Sequence, residues 1–150
     1  MRFLAIDYGE RRTGLAVGDD EPALASPLGV IDTANSDERL RRIASAIEEQ
    51  GPDALVLGLP LNMDGTDGPA ALRVRACALV LSDRFGLPVH LVDERLTTAA
   101  ADDEMNRAGL RGRRKKAHRD AVAAATILRD FLAQRTGGSD PDAGRHRRPD

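Results

Sequence analysis

Residues 2–20, RFLAIDYGERRTGLAVGDD, decide the fold of this 150-residue chain. They contain two short, largely apolar runs, Arg2–Tyr8 and Thr13–Gly18, joined by four polar connector residues that include a glycine. A connector of this length and composition between two apolar runs is typical of a β-hairpin. The first run ends with Asp7 and Tyr8, so the hairpin places a carboxylate at the end of a strand that is apolar enough to be central.

The rest of the chain alternates strands with helices. Leu24–Ile31 predicts a third, outer strand, which Pro27 and Gly29 place at an edge or at a bulge. Apolar spacing and capping signals then predict a helix from Asn35–Asp37 to Gly51, a strand over Ala54–Leu59, a helix from Pro69 through Phe85, a strand over Pro88–Val92, a short helix from Thr97 or Thr98 to Arg107, and a final helix from about Ala117 to Arg135. This order, βββαβαβαα, predicts an α/β fold with a five-stranded mixed sheet flanked by helices.

Length and composition bound the class of protein. A chain of this size fits one domain, which we assign to residues 1–135, because residues 136–150 mix Gly, Pro and charges without apolar periodicity and are predicted to be a disordered tail. The formal net charge of −2 argues against a protein that coats nucleic acid non-specifically, so any polyanion site must be local.

The cellular setting is predicted from three absences. Cys77 is the only cysteine, so no internal disulfide can form. The N-terminus runs directly into the first strand without the features of a secretory leader, and no apolar run is long enough to cross a membrane. We therefore expect a cytoplasmic protein that does not associate with membranes.

Acidic residues stand at three places where chemistry is expected. Asp7 and the pair Asp93 and Glu94 follow apolar strands, and Asp120 lies on the helix face that is predicted to meet the sheet. Because side chains alternate across a strand, only one of Asp93 and Glu94 can face the same side as Asp7. The alternation alone does not choose between them.

Each acid also has a purely structural interpretation. Asp7 can form a turn, and the Asp93–Glu94 pair can give one acid to solvent and the other to Arg95. Asp120 is expected in the first turn of the last helix, where the helix dipole or Lys116 can compensate its charge.

The three acidic positions together favour a metal site. Carboxylates from two strand ends and one covering helix can converge, and the three histidines of the chain are scattered without ligand spacing. An all-oxygen site suits Mg²⁺ or Mn²⁺. Such ions orient an attacking water and stabilise the leaving oxygen in phosphodiester hydrolysis.

A basic stretch precedes the last of these acids. Between residues 105 and 119 the chain carries basic side chains and no acidic one, namely Arg107, Arg111, Arg113, Arg114, Lys115, Lys116 and Arg119. Its position predicts a loop that grips phosphates, with residues 113–116 as nucleic-acid contacts. The alternative is a solvated loop that balances the acids at positions 102–104.

Several motifs occur in a fixed order along the chain. They are LAIDYG at 4–9, Arg12 with GLA at 14–16, GLPLNMDG at 58–65, DERLTT at 93–98, and Asp120 followed by AA at 123–124 and IL at 127–128. This series resembles the YqgF family of bacterial proteins, which are described both as pre-16S rRNA nucleases and as Holliday junction resolvases. The resemblance covers about residues 2–133 and implies an RNase H-like fold in the cytoplasm.

The resemblance also implies roles for individual residues. It assigns Asp7, Glu94 and Asp120 as catalytic, metal-ligating acids and prefers Glu94 over Asp93. It places Arg12 and the loop from Asn62 to Gly65 at the same edge, where Arg12 and Asn62 are expected to contact the nucleic acid. Better-characterised resolvases of this fold present another acid one turn after the helix aspartate, where this chain has Ala123. The acid set is therefore smaller here.

The implied activity is metal-dependent hydrolysis of structured nucleic acid. The first expectation is 5′-end processing of pre-16S rRNA, with the ribosome as a partner, and the alternative is cleavage of four-way DNA junctions. One active site suffices for the RNA, whereas symmetric junction cleavage needs two, so a monomer fits the first and a homodimer the second.

Two alternatives of another class stay open. The smaller acid set and the basic stretch also suit a catalytically silent module that binds the ribosome or nucleic acid. The hairpin with Asp7 and Thr13-Gly14 resembles the phosphate-binding hairpin of actin-like ATPases. Those enzymes close two lobes around nucleotide, and 150 residues provide one lobe.

Overall fold

The predicted hairpin forms the centre of the sheet. A computed structural model of the chain describes residues 1–96 and 112–136, with strands β1 (Arg2–Tyr8) and β2 (Arg12–Asp20) paired antiparallel. Four of the seven residues of β1, Phe3–Ile6, are fully buried. An apolar segment of this kind needs cover on both faces, which the helices described below supply.

The complete sheet has five strands in the order β3-β2-β1-β4-β5. Strand β3 (Ala23–Asp32) pairs antiparallel with β2, while β4 (Ala54–Leu59) and β5 (Val89–Asp93) continue the sheet in parallel from β1. The predicted five-stranded mixed sheet is thus confirmed. The outer strand is also confirmed as an edge strand, and its register shifts opposite Leu15 and Ala16.

Two helices cover one face of the sheet. Helix α1 (Ser36–Gln50) begins after Asn35, whose side chain accepts a hydrogen bond from the Glu38 amide at 2.8 Å, as the capping signal predicted. Helix α2 (Pro69–Phe85) follows β4. The core on this face is a single apolar cluster that includes Leu4, Ile6, Ile43, Ile47, Leu55, Leu57, Val74 and Leu81.

Cys77 of α2 packs against this core. Burial raises the pKa of its thiol to about 11, so the thiol stays protonated. Within the described ranges, no helix is long and apolar enough to cross a membrane.

One long helix covers the opposite face. Helix α3 (Gly112–Thr136) packs its stripe of Ala124, Ile127, Leu128 and Phe131 against the sheet residues Phe3, Ala5, Ala16, Ala54 and Val56. The predicted apolar face of this helix is confirmed. Helix α3 contacts β1, β2, β3 and β4, so it covers both the antiparallel and the parallel half of the sheet on this side.

The predicted start of the last helix was wrong. The sequence favoured a basic loop up to about Ala117, whereas the helix begins at Gly112 and contains Arg113, Arg114, Lys115 and Lys116. Arg and Lys are good helix formers, and neither glycine nor proline follows Gly112 within the helix. Helix propensity therefore outweighs the unfavourable placement of cations near a helix N-terminus.

The early start also corrects the position of Asp120. This residue lies more than two turns into α3 and not in its first turn, so the helix dipole cannot compensate its charge. The predicted helix from Thr97 or Thr98 to Arg107 lies outside the described residues. So does most of the predicted tail, residues 137–150.

Helix α3 approaches β2 closely at Gly14. A Cβ atom on Gly14 would lie 1.9 Å from the backbone oxygen of Asp120, which is far inside van der Waals contact. The obstacle is backbone that belongs to a long, packed helix, so it cannot rotate away. The glycine is therefore a requirement for docking α3 on the sheet.

We predict that Gly14→Ala lowers the free energy of unfolding by about 3 kcal/mol, because the helix must shift to admit the methyl group. Gly29→Ala is the matched control in the neighbouring strand, where a Cβ meets nothing within 4 Å. We expect the control to stay within about 0.5 kcal/mol of the parent protein. Urea unfolding measures both, and equal stability of the two variants would contradict the close approach.

Candidate active site

Strand β1 points Asp7 toward the face covered by α3. Side chains alternate along a strand, and Phe3 and Ala5 on this strand pack against α3, so Asp7 continues their row. Its partner in β2 is Gly14. On the other side, Gly58 of β4 comes one residue after the Ile6–Leu57 pair. Asp7 is therefore flanked in the sheet by two residues without side chains.

The space over Gly14 is filled by the backbone of α3 at Asp120. The close approach described above brings this turn of the helix down beside Asp7. The Asp120 side chain is half-buried, and its carboxylate senses the negative charge of Asp7. The helix thus delivers the second acid to the first.

The space over Gly58 is filled by Glu94. Strand β5 ends at Asp93, and the chain continues into a 3₁₀ turn, Glu94–Leu96. A Cβ atom on Gly58 would lie 2.7 Å from Cγ of Glu94 and 2.6 Å from Cδ1 of Ile127. The missing side chain makes a slot in which the third acid lies across the sheet beneath α3.

Glu94 is held in its neutral form. Burial raises its pKa from 4.5 to about 9, and a side-chain hydrogen bond with Asp7 and the charges of Asp7 and Asp93 add to the shift. The neutral carboxyl group of Glu94 is therefore favoured, and it can donate the hydrogen bond to Asp7.

Asp120 is compensated by Arg12. The guanidinium Nε donates to Oδ2 of Asp120 at 2.9 Å, across 108 residues of sequence. Burial nevertheless raises the pKa of Asp120 above its ordinary value, and the charge of Asp7 acts in the same direction against the lowering effect of Arg12. Arg12 of the hairpin, and to a smaller extent Arg119, therefore provide compensation that the helix dipole was predicted to give. The side chain of Lys116, the other predicted partner, lies outside the described residues.

Asp93 faces away from this cluster and binds Arg95. Its carboxylate accepts hydrogen bonds from the Arg95 backbone amide at 3.0 Å and from the guanidinium at 2.6–3.0 Å. These bonds lower the pKa of Asp93 below its ordinary value. Of the two adjacent acids, the structure thus places Glu94 beside Asp7, and Asp93 takes the ion-pairing position that the sequence left open for either residue.

The donor set fits a hard divalent cation. The three groups supply only carboxylate oxygens, the ligands that Mg²⁺ and Mn²⁺ prefer, and their charges need compensation in a half-buried place. In residues 1–96 and 112–136, no three acidic, histidine or cysteine side chains already form a ready-made metal cluster. A proton on Glu94 and the guanidinium of Arg12 provide the compensation here.

The remaining predicted contacts have different positions. Asn62 lies in the loop after β4, where its side-chain Nδ2 donates to Thr66 Oγ1 at 3.0 Å. Arg113, Arg114, Lys115 and Lys116 lie in the first turns of α3, and their side chains are outside the described part of the structure. Sequence reasoning missed that Gly14 and Gly58 flank Asp7 and make room for the other two acids. Their positions beside Asp7 become visible only when the pairing register of the strands is known.

The chain is similar to a family and to curated proteins over most of its length. A family model described as "RuvX: Holliday junction resolvase" matches residues 1–134. A Chromobacterium violaceum protein named "Putative pre-16S rRNA nuclease" is 46% identical over 132 residues, which is 87% of this chain and 96% of that protein. A Maridesulfovibrio salexigens protein of the same name is 40% identical over 134 residues, covering 89% and 99%.

Solved structures with low sequence identity share the fold. T. thermophilus RuvC in complex with Holliday junction substrate superposes with a TM-score of 0.57 at 23% identity, over 91% of this chain and 97% of that one. The fowlpox virus resolvase in complex with Holliday junction DNA gives a TM-score of 0.55 at 9% identity, over 89% and 98%. These likenesses confirm the predicted RNase H-like fold.

We predict that Glu94→Gln removes a pH dependence of stability. Below about pH 4.5 Glu94 is protonated in the folded and the unfolded chain, and between 4.5 and about 9 only the unfolded chain releases the proton. The free energy of unfolding of the wild type therefore falls as pH rises through this range, with a slope of up to about 1.4 kcal/mol per pH unit. The wild-type free energy of unfolding should fall from pH 5.5 to 8.5 more steeply than that of Glu94→Gln.

Urea unfolding in EDTA measures these slopes without divalent ions. Asp93→Asn is the control, because the pKa of Asp93 is lowered and its titration lies below this pH range. It should keep most of the wild-type slope, because burial and Asp7 raise the pKa of Glu94 more than the charge of Asp93 does. Parallel pH profiles for wild type and Glu94→Gln would show that Glu94 is ionised in the folded protein.

Proposed function

The chain belongs to the RuvX family, and from this premise we propose that it is a cytoplasmic, metal-dependent nuclease that hydrolyses phosphodiester bonds in structured nucleic acid. The observation that carries the proposal is the meeting of Asp7, Glu94 and Asp120 under α3. Three acids gathered over two glycines are costly for stability, because burial and mutual repulsion penalise their charged forms. Catalysis gives this arrangement a purpose that packing does not.

Asp7, Glu94 and Asp120 are the residues that would hold Mg²⁺ or Mn²⁺. When bound, the ion supplies an activated water and stabilises charge on the leaving oxygen. Asp7 provides the fixed carboxylate, because its strand is buried at the centre of the sheet. A cation held by these residues would lower the pKa of Glu94 and favour the release of its proton, because a nearby positive charge stabilises the carboxylate.

Cationic residues would position the substrate around these acids. Arg12 already lies at the rim of the acid cluster, where its half-exposed guanidinium can contact a phosphate next to the reacting one. Residues 113–116 of α3 add four basic residues about one to two turns before Asp120. Such contacts hold the backbone of a nucleic acid without reading its sequence.

The names of the relatives favour pre-16S rRNA as the substrate. Processing of its 5′ end is the reaction that the resemblance to the YqgF family implies. The description of the family favours a four-way DNA junction as the second candidate. The RNA requires one active site and suits a monomer. A junction cut symmetrically requires two sites and suits a homodimer, so the oligomeric state on each substrate separates the candidates.

The deciding experiment incubates the purified chain with Mg²⁺ or Mn²⁺ and either a pre-16S rRNA 5′ fragment or a four-way DNA junction. Preferred cleavage of the RNA near the mature 5′ end supports the first candidate, and paired symmetric cuts in the junction support the second. Tight binding of RNA without cleavage in either metal would overturn the nuclease and leave a ribosome-associated binding module.

We predict that Asp7→Asn and Glu94→Gln lower the cleavage rate roughly 100-fold or more, the scale that follows loss of one electrostatic stabiliser in an active site. Asp93→Asn should lose less, because its carboxylate faces Arg95 and not the acid cluster. Single-turnover cleavage measures the rates, and thermal melting verifies that the variants are folded. Full activity of a folded Asp7→Asn protein would rule out the assigned mechanism.

We predict that replacing Arg113, Arg114 and Lys115 with Ala weakens nucleic-acid binding broadly while the choice of cut site changes little. If the three residues contact phosphates, the slope of log affinity against log salt falls by roughly 2 to 3, at about 0.7 to 0.9 per contact. Binding titrations between 50 and 300 mM salt measure the slope. An unchanged slope and affinity would move the substrate track to Arg12 and the loop after β4.

A further inference from the structure

The loop after β4, residues 62–66, is closed by its own hydrogen bonds. The backbone N–H of Asn62 donates to the backbone carbonyl of Thr66 at 2.9 Å, and the backbone N–H of Gly65 donates to the backbone carbonyl of Asn62 at 2.8 Å. Asp64 accepts from both the amide and the hydroxyl of Thr66, at 3.0 and 2.6 Å. A five-residue loop with this many internal bonds has a defined shape before any substrate arrives.

Arg95 fastens this loop to the end of β5. Its Nη1 donates to the carbonyl oxygens of Asn62 and Met63, at 3.3 and 3.0 Å. Its Nε and Nη2 donate to the Asp93 carboxylate at 2.6–3.0 Å. All three guanidinium nitrogens are thus engaged, and we call the pair Asp93–Arg95 the latch.

The latch and the acid cluster share one turn of chain. Glu94 lies between the two latch residues, and its side chain crosses Gly58, four residues before the loop begins. The latch therefore fixes the loop at the edge of the sheet where the acids meet. Two adjacent residues of this 3₁₀ turn therefore have different roles: Glu94 belongs to the acid cluster, and Arg95 holds the loop in place.

The held loop presents one large apolar side chain to solvent. Met63 is 90% exposed, the highest value among the large apolar side chains that the structure describes. Its carbonyl is one of the two that Arg95 holds, so the backbone beneath the exposed side chain is fixed. Exposed apolar side chains are common, but one on a braced loop beside an acid cluster is placed for contact.

Nucleobases are the chemistry that this side chain fits. The thioether of Met is polarisable and makes favourable contacts with aromatic rings. Apolar side chains including Met insert between base steps of bound nucleic acid and unstack them. A base displaced next to the acids would leave its phosphodiester less restrained by the helix.

We propose that Met63, held by the Asp93–Arg95 latch, is a base-contacting wedge that separates neighbouring bases at the cleavage position. This inference rests on the proposed nuclease function and adds a specificity element to it. It makes Met63 a substrate-contacting residue and Arg95 a positioning residue. Substrates with unpaired or weakly stacked bases are then preferred, because unstacking them costs less.

The first experiment measures base unstacking in EDTA, where cleavage does not occur. The probes are a pre-16S rRNA fragment and a four-way DNA junction that carry 2-aminopurine. In a substrate that the protein cleaves with metal, the 2-aminopurine is placed next to the cut position. In a substrate that it does not cleave, a series of probes carries it at successive positions near the branch point or the strand end. Wild type should raise the fluorescence, and Met63→Ala should remove the rise and weaken binding about 2- to 10-fold, the range for a sulfur–aromatic contact.

Two further variants serve as controls. Met63→Leu keeps an apolar side chain of similar size and should keep most of the fluorescence rise. Leu79→Ala truncates an equally ordinary exposed side chain, 65% exposed on α2, and should match wild type. Met63→Ala with a wild-type rise, or with weaker binding but no change in the rise, would overturn the wedge.

The second experiment tests the latch through hydrogen exchange of the Gly65 and Thr66 amides. Arg95→Lys keeps the charge but not the planar fork that joins a carboxylate to two carbonyls. We expect Arg95→Lys and Arg95→Gln alike to speed exchange and reduce the fluorescence rise. Wild-type behaviour of Arg95→Lys would show that Arg95 acts only as a positive charge and would overturn the latch.

Failure of the two proposals can be told apart. Wild type that unstacks the probe in EDTA but cuts neither substrate with Mg²⁺ or Mn²⁺ would overturn the nuclease and keep the wedge. Wild type that cuts one substrate, with Met63→Ala cutting and unstacking equally well, would overturn the wedge and keep the nuclease.

Discussion

The structure depends on the absence of side chains on both sides of Asp7. Gly14 lets the backbone of α3 rest on β2, and Gly58 leaves a slot for Glu94. Had either position carried a methyl group, the helix or the glutamate would have to move away from Asp7. Two hydrogen atoms in place of two side chains thus bring three acids from distant parts of the chain to one place, under a helix that is otherwise an ordinary apolar cover.

This arrangement has an electrostatic cost that the protein offsets in two ways. Glu94 keeps a proton, with its pKa raised to about 9 by burial first and by Asp7 second. Asp120 takes Arg12 as a partner. Both compensations are exchangeable, since a proton can leave and a half-exposed guanidinium can turn to another anion. A site that is neutralised in this way can accept a cation and a phosphate without unfolding its surroundings.

Local patterns were sufficient for the sheet and insufficient for the site. The existence and order of the strands, the edge position of β3 and the apolar face of α3 follow from periodicity and from Pro and Gly placement, so they were predictable from the sequence. Strands β2 and β3 nevertheless extend beyond the predicted runs at both ends. The start of α3 was not predictable. The positive charges of Arg and Lys are unfavourable near a helix N-terminus, whereas their helix propensity is favourable, and the local sequence does not show which effect is larger. Alternation along the strand could not decide whether Asp93 or Glu94 belongs to the site. The resemblance to the YqgF family was needed to prefer Glu94.

The contacts that position the site are those that join residues far apart in sequence. Arg12 meets Asp120 across 108 residues, and Arg95 reaches the carbonyls of Asn62 and Met63 across more than 30. Each depends on strand register and on where a helix crosses the sheet. A sequence motif marks such residues as candidates, but only the packed sheet shows that one arginine compensates an acid and another fastens a loop.

The most direct test of the central claim is Mn²⁺ binding followed by electron paramagnetic resonance in wild type, Asp7→Asn, Glu94→Gln and Asp120→Asn, with Asp93→Asn as the matched control and thermal melting to verify folding. If the three acids over Gly14 and Gly58 form the metal site, each of their variants loses Mn²⁺ affinity while the control binds like wild type. Unchanged affinity in the three folded variants, or loss of binding in Asp93→Asn alone, would contradict the account.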